Sequence, residues 1–223
     1  MKVKVCGITL MSQLQQLDKL GVDFAGFIFY KKSPRYVLNN GLTGTEVKNA
    51  KLKTLKVGVF VNDSYEEVMK QVDTFGLDMV QLHGHETPYE CSQIAASVPV
   101  VKAFRFSDSD QVEWMIKDYR NASDMFLFDT GILPPKPEQA EGVHYGGTGR
   151  KFDWNALKGQ NIGKPFFLSG GIEPSDAALV KQFRKDPVAK DLFAVDINSR
   201  FETEPGRKDM KKIQQFVNAL NHE

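Results

Sequence analysis

The stretch LKVGVFVNDSYEEVMKQVDTFGLDMVQL, residues 55–82, decides the fold class. It opens on Leu55–Val61, whose centre Val57-Gly58-Val59-Phe60-Val61 has no polar residue at alternate positions. Strands of parallel sheets, covered on both faces, have this composition. Ser64-Tyr65-Glu66-Glu67 then has the spacing of a capping box. Val68, Val72 and Phe75 fall on one helical face before Gly76, a residue suited to a left-handed helix end. A second apolar run, Met79–Leu82, follows directly. Strand, amphipathic helix, strand is the βαβ unit of a parallel sheet.

The same order extends in both directions. Strands are expected at Val3–Ile8 and Phe24–Phe29 before this unit, and at Val100–Phe104, Met125–Asp129, Pro165–Leu168 and Leu192–Asp196 after it. One-sided apolar stripes recur between or beyond them: Leu14, Leu17 and Leu20 before Gly21; Val112, Met115, Ile116 and Tyr119; and Met210, Ile213, Phe216, Val217 and Leu220. Thr87-Pro88-Tyr89-Glu90 reads as a second capping box, with proline at the first helical position. Eight strands in 223 residues leave about 28 residues per unit, the economy of a compact barrel. The expected fold is therefore α/β: a single (β/α)8 TIM barrel with eight parallel strands, one catalytic domain over 1–223. An open doubly wound sheet is the competing architecture, but no Gly-x-Gly-x-x-Gly follows the first strand.

Composition narrows the function classes. Hydrophobic residues make up 41% and charged residues 26%, ordinary for a globular chain and unlike a disordered one. The formal net charge of +1 supplies no field for tracking a phosphate backbone, so nucleic acid is not an expected partner. No apolar run approaches the roughly 18 residues of a membrane span, and the start Met1-Lys2-Val3-Lys4-Val5-Cys6-Gly7 lacks the apolar stretch expected of a signal peptide. With only Cys6 and Cys91, a disulfide framework is not expected and a reducing cytoplasm is the simpler setting.

In such a barrel the strand ends and the loops after them build the site. Alternation along the first strand puts Lys4 and Cys6 on one face and Val3 and Val5 on the other. If the valines face the helices, the ammonium and the thiol point inward, and a thiol beside an ammonium can be held partly as thiolate. Cysteine also serves as a small buried hydrophobe, the role expected for Cys91 inside its capped helix. Strands six and eight end in Asp129 and Asp196, each of which could be an acid at the mouth or a loop cap. An acid and a base on separated strands can address one substrate from two sides, which suits proton relocation.

Glycine-bearing stretches after strands six and seven, Gly146-Gly147-Thr148-Gly149 and Ser169-Gly170-Gly171, allow backbone N–H groups close to an anion. Together with Asn198-Ser199-Arg200 after strand eight, they point to a phosphorylated small-molecule substrate. Arg35, in the proline-stiffened loop Ser33-Pro34-Arg35-Tyr36, could hold a planar carboxylate through two hydrogen bonds or face solvent as a basic turn. His83 and His85 have no third histidine nearby, so no metal site is expected, and His83 is a site-lining or loop-fixing candidate. The long stretch Thr130–Tyr145, with Pro134, Pro135 and Pro137, is expected over the same face.

Taken together, Lys4-Val5-Cys6-Gly7-Ile8-Thr9, Gly26-Phe27-Ile28-Phe29, Ser33-Pro34-Arg35-Tyr36-Val37, Val57-Gly58-Val59-Phe60 and Gln81-Leu82-His83-Gly84 are similar to the phosphoribosylanthranilate isomerases of tryptophan biosynthesis. Gly146-Gly147-Thr148-Gly149 with Phe152-Asp153-Trp154, Ser169-Gly170-Gly171 and Pro205-Gly206-Arg207-Lys208-Asp209 extend the resemblance along essentially the whole chain. It implies an Amadori rearrangement of N-(5-phosphoribosyl)anthranilate to the 1-deoxyribulose 5-phosphate, without cofactor or metal. On that match Cys6 is the general base and Asp129 the general acid, protonated in an apolar setting to which Phe126, Leu127 and Phe128 contribute. Arg35 holds the anthranilate carboxylate. His83, Gly147, Gly170, Gly171, Asp196, Asn198 and Ser199 line the substrate and its phosphate.

One departure stands out. The family commonly has Ser-Ser-Gly where this chain reads Asn198-Ser199-Arg200, and arginine tolerates a positive φ poorly. The alternatives are another phosphate-binding barrel isomerase, whose relatives use paired aspartates instead of a strand-one thiol, and a barrel kept as a non-catalytic binding module. Protein partners are not readable from the chain.

Overall fold

Hydrogen bonding between neighbouring strands runs from β1 through β8 and back to β1, all parallel, closing the sheet into a barrel. The computed structural model describes residues 1–106, 111–130 and 154–221. The strands are β1 (Lys2–Cys6), β2 (Phe24–Ile28), β3 (Leu55–Phe60), β4 (Met79–Leu82), β5 (Val100–Phe106), β6 (Met125–Thr130), β7 (Phe166–Leu168) and β8 (Leu192–Ile197). The expected Gly146-Gly147-Thr148-Gly149 turn and the expected long segment after residue 130 lie outside the described residues.

Helices α1 (Met11–Lys19), α2 (Gly44–Asn49), α3 (Tyr65–Phe75), α4 (Pro88–Ala95), α5 (Val112–Ile116), α6 (Ala177–Phe183) and α7 (Met210–Asn221) connect or follow the strands. Thr87 makes the full capping box with Glu90, and Gly76 ends α3 at φ +59°. At Ser64 only half of the expected box forms: its side chain accepts from the Glu67 N–H, while the Glu67 carboxylate turns to Gln71 instead. Helix α2, which no apolar stripe had marked, is held by a capping box between Thr43 and Glu46. No helix among the described residues is long and apolar enough to cross a membrane.

Two buried layers follow from the period of the strands. Val3, Val5, Ala25, Phe27, Phe60, Val80, Leu82, Val100, Phe126, Phe128 and Val195 face outward and pack with helix residues such as Leu14, Leu17, Val68, Phe75, Ile94 and Ile213. The inward set, Phe24, Val57, Met79, Val101, Ala103, Leu127, Phe167 and Ala194, fills the barrel as a separate cluster. Two residues further along four of the strands the inward positions turn polar: Gln81 after Met79, Arg105 after Ala103, Asp129 after Leu127, Asp196 after Ala194. An apolar plug thus floors the barrel, and a ring of polar side chains stands above it at the C-terminal strand ends.

Strand β1 ends earlier than expected, at Cys6 rather than Ile8. Gly7 takes φ +79°, and the N–H groups of Gly7 and Ile8 both donate to the Gly26 carbonyl at 2.9 Å. That turn leaves Cys6 as the last inward residue of the strand.

Candidate active site

Lys4 and Cys6 point inward as alternation requires, and Lys4 Nζ donates to Asp196 Oδ2 across β1 and β8 at 2.8 Å. Burial works against both charges. At Lys4 the charges and hydrogen bonds of Asp196 and Cys6 together more than offset it, and the pKa is raised. At Asp196 burial prevails and pushes the carboxyl up, with Lys4 opposing.

Cys6 lies above Lys4, in an apolar collar of Ile28 and Val59 with Tyr30 packed against it. The expectation of a partly ionised thiol is corrected here. Burial raises the Cys6 pKa, and the neighbouring charges of Lys4 and Lys208, which favour the thiolate, do not overcome it. The room for the sulfur comes from Gly26 on β2, where a Cβ would stand 3.0 Å from both the Cα and the Sγ of Cys6.

Asp129, the next-to-last residue of β6, lies on the same inward face as Leu127. Phe126 and Phe128 point the other way, into the layer beneath the helices. The apolar setting expected around Asp129 is therefore corrected as well: of the three neighbours only Leu127 shares its face, because strand side chains alternate. Facing it is His83, whose Nε2 lies 3.5 Å from Asp129 Oδ2. Gln81 Nε2 is 2.8 Å from His83 Nδ1. With the amide donating to Nδ1, a neutral ring carries its proton on Nε2, the nitrogen turned to Asp129. Asp196 feels the charges of both Asp129 and His83 as well as that of Lys4, and its own charge acts on Cys6. Thiol and carboxyl therefore belong to one electrostatically connected mouth.

Arg35 sits in a turn closed by Tyr36 N–H to the Ser33 carbonyl, with Pro34 at the favoured second position and the Ser33 hydroxyl accepting from Arg35 N–H. A single parallel bridge between Ile28 and Tyr36 fastens this turn to the end of β2. The guanidinium is buried, not solvated, and pairs with Glu202 through Nε and Nη2.

After β7, Gly170 and Gly171 adopt φ +95° and +69°, backbone that glycine enters without penalty. After β8, Asn198 Oδ1 accepts from Lys208 Nζ at 2.8 Å, and Ser199 opens a short 3-10 turn. Among the described residues Asn62 is the only non-glycine with positive φ, so Arg200 fits this loop without backbone strain. Gly147 lies outside the described residues.

Sequence reasoning missed the groups that brace this mouth. Lys102 donates to Glu86 at 2.6 Å and to the Gly84 carbonyl at 2.9 Å, while Glu86 accepts from the N–H groups of Asn62 and Gly84. This buried brace holds the loop directly after His83. Glu202 and Lys208 do the same beside Arg35. Lys102 and Glu86 come from different βα units, and Glu202 reaches Arg35 from far along the chain, so no local pattern signals these pairs.

Against known proteins, the family model for N-(5'-phosphoribosyl)anthranilate (PRA) isomerase matches residues 3–219. The chain belongs to the phosphoribosylanthranilate isomerase family. It is 36% identical over 223 residues to the N-(5'-phosphoribosyl)anthranilate isomerase of Parabacteroides distasonis, covering all of this chain and 94% of that protein. Its fold is similar to the phosphoribosyl anthranilate isomerase of Thermotoga maritima, with a TM-score of 0.78, 31% identity and 98% of each chain covered. It is also similar to a phosphoribosyl anthranilate isomerase solved with reduced 1-(o-carboxyphenylamino)-1-deoxyribulose 5-phosphate, at a TM-score of 0.75 and 28% identity over 98% of this chain and 97% of that one. Membership in this family accounts for the closed barrel.

Proposed function

We propose that this barrel rearranges N-(5'-phosphoribosyl)anthranilate to 1-(2-carboxyphenylamino)-1-deoxyribulose 5-phosphate with Cys6 as base and Asp129 as acid. The chain is an isomerase of tryptophan biosynthesis, as its family membership states. The observation that carries the assignment of roles is the polar ring above the barrel floor, in which Cys6, Asp196, Asp129 and His83 interact through space.

Asp129 in its protonated form donates to the furanose ring oxygen, and the bond between C1 and that oxygen breaks, leaving an open-chain iminium. Thiolate Cys6 takes the proton from C2, and the electron pair neutralises the iminium to give an enolamine. The enolamine then tautomerises to the ketone. A thiol whose pKa burial has raised is rarely ionised at neutral pH, but its thiolate is a correspondingly stronger base. Arg35 anchors the anthranilate carboxylate, and Gly170, Gly171, Asn198 and Ser199, with Gly147, hold the phosphate through N–H and side-chain donors. Asp196 keeps Lys4 charged beneath the thiol and lines the sugar site. We read the chain as one cytoplasmic barrel domain over 1–223; the buried free thiols Cys6 and Cys91 support a reducing compartment.

The test is loss of substrate fluorescence with freshly made phosphoribosylanthranilate. Cys6→Ala and Asp129→Ala each remove one proton-transfer group, so each abolishes turnover and leaves the fold intact by circular dichroism. Normal turnover by Cys6→Ala would overturn the assigned base.

A further inference from the structure

Glu202, at the start of the short strand β9 (Glu202–Glu204), is half-buried as a residue, but its side chain is only 4% exposed and its carboxylate is fully occupied. Its Oε1 accepts from Arg35 Nε at 2.9 Å, Lys208 Nζ at 2.6 Å and Gly206 N–H at 3.1 Å, and its Oε2 accepts from Arg35 Nη2 at 2.6 Å and from the shared Nε–H at 3.0 Å. A carboxylate offers about four lone-pair sites, so protein donors fill this one and leave none for a substrate. Burial alone would push its carboxyl up, but the hydrogen bonds and charges of Arg35 and Lys208 reverse that and keep it an anion.

Glu202 takes the Nε edge of the guanidinium, and Nη1 makes no hydrogen bond to a described residue. The stem is confined too, since a Cβ on Gly7 would stand 2.8 Å from Arg35 Cδ. Lys208, on β10 (Arg207–Lys208), spends its hydrogens on Glu202 and on Asn198. One carboxylate therefore ties the arginine of the β2 loop to the loop after β8.

We infer that Glu202 is a positioning residue: it turns the unpaired edge of Arg35 toward the arene carboxylate of the substrate and so sets the preference for an acidic aryl amine. This rests on the reading of Arg35 as the carboxylate anchor, and the experiment separates the two. Steady-state kinetics are compared on the anthranilate-derived substrate and on the same sugar phosphate made from aniline, which lacks the carboxylate. Arg35→Met tests the anchor. It raises KM about ten-fold or more for the anthranilate compound and lowers kcat/KM for the aniline compound by a much smaller factor.

Glu202→Gln keeps the shape of the side chain but sets an amide N–H₂ among donors. It raises KM for the anthranilate compound about ten-fold with kcat little changed, and alters kcat/KM for the aniline compound by less than about two-fold. Glu202→Asp, one methylene shorter, gives a smaller loss of the same kind and serves if the glutamine variant does not fold. Equal losses on both compounds, the mark of a merely structural role, overturn the inference, as does no loss on either. If Arg35→Met fails to discriminate between them, the anchor falls and the inference falls with it.

Discussion

The ammonium of Lys4 and the carboxylate of Asp196 meet 2.8 Å apart between β1 and β8, at side-chain exposures of 1% and 6%. Among the described residues Asp196 Oδ1 has no hydrogen-bond partner, so Lys4 is the first compensation of its charge. The pair occupies the layer between the apolar floor and the thiol.

Lys4→Met removes the cation and leaves a buried carboxylate unpaired, a change that costs about 3–5 kcal/mol. Urea unfolding should show the midpoint falling with little change in slope. Lys4→Met with Asp196→Leu, which removes both charges, should recover most of the loss. If the single variant is as stable as the parent, the two charges are not buried together.

The pH profile follows from the proton count. In the proposed mechanism the active form carries a thiolate at Cys6 and a proton on Asp129, and this arrangement holds the same number of protons as thiol plus carboxylate. Between the two pKa values these two groups therefore leave kcat/KM flat, and titration of the thiol lowers it only above the ordinary value of 9.0, because burial raises Cys6. Any fall nearer 8 belongs to Lys208, whose pKa burial brings down to about 8. Asp129→Asn breaks the exchange. Its residual rate then follows thiolate alone and climbs about ten-fold per pH unit through neutrality. A flat residual profile would remove the thiolate from the mechanism.

Gly26→Ala places a methyl 3.0 Å from Cys6 Sγ and Cα, against backbone that cannot yield easily. Displacement of the sulfur should lower kcat about ten- to a hundred-fold, with a stability loss of about 1–3 kcal/mol. Gly41→Ala is the control, since Gly41 at φ +75° has open space where its Cβ would stand. That variant strains the backbone and should leave kcat unchanged; an equal loss in both would point to general destabilisation.

Cys91 sits inside α4, where burial pushes its thiol up to about 12. Iodoacetamide at pH 9 should leave the native protein without an adduct at Cys91, and urea should expose it to full alkylation, read by peptide mass spectrometry. Rapid native labelling of Cys91 would contradict its packing role.

The repeat of strand and amphipathic helix is a local property, written in residues a few positions apart, so the chain alone determined the eight parallel strands, the Thr87 box and the inward face shared by Lys4 and Cys6. Alternation also marked Asp129 and Asp196 as strand-end acids. Residue type and spacing do not contain dielectric or partner choice. Only closure of the barrel decided that burial outweighs Lys4 at the Cys6 thiol, that Phe126 and Phe128 turn away from Asp129, and that Arg35 finds Glu202 far along the chain. Hydrogen bonds and charges act through space, and the distances they depend on exist only once β1 has met β8.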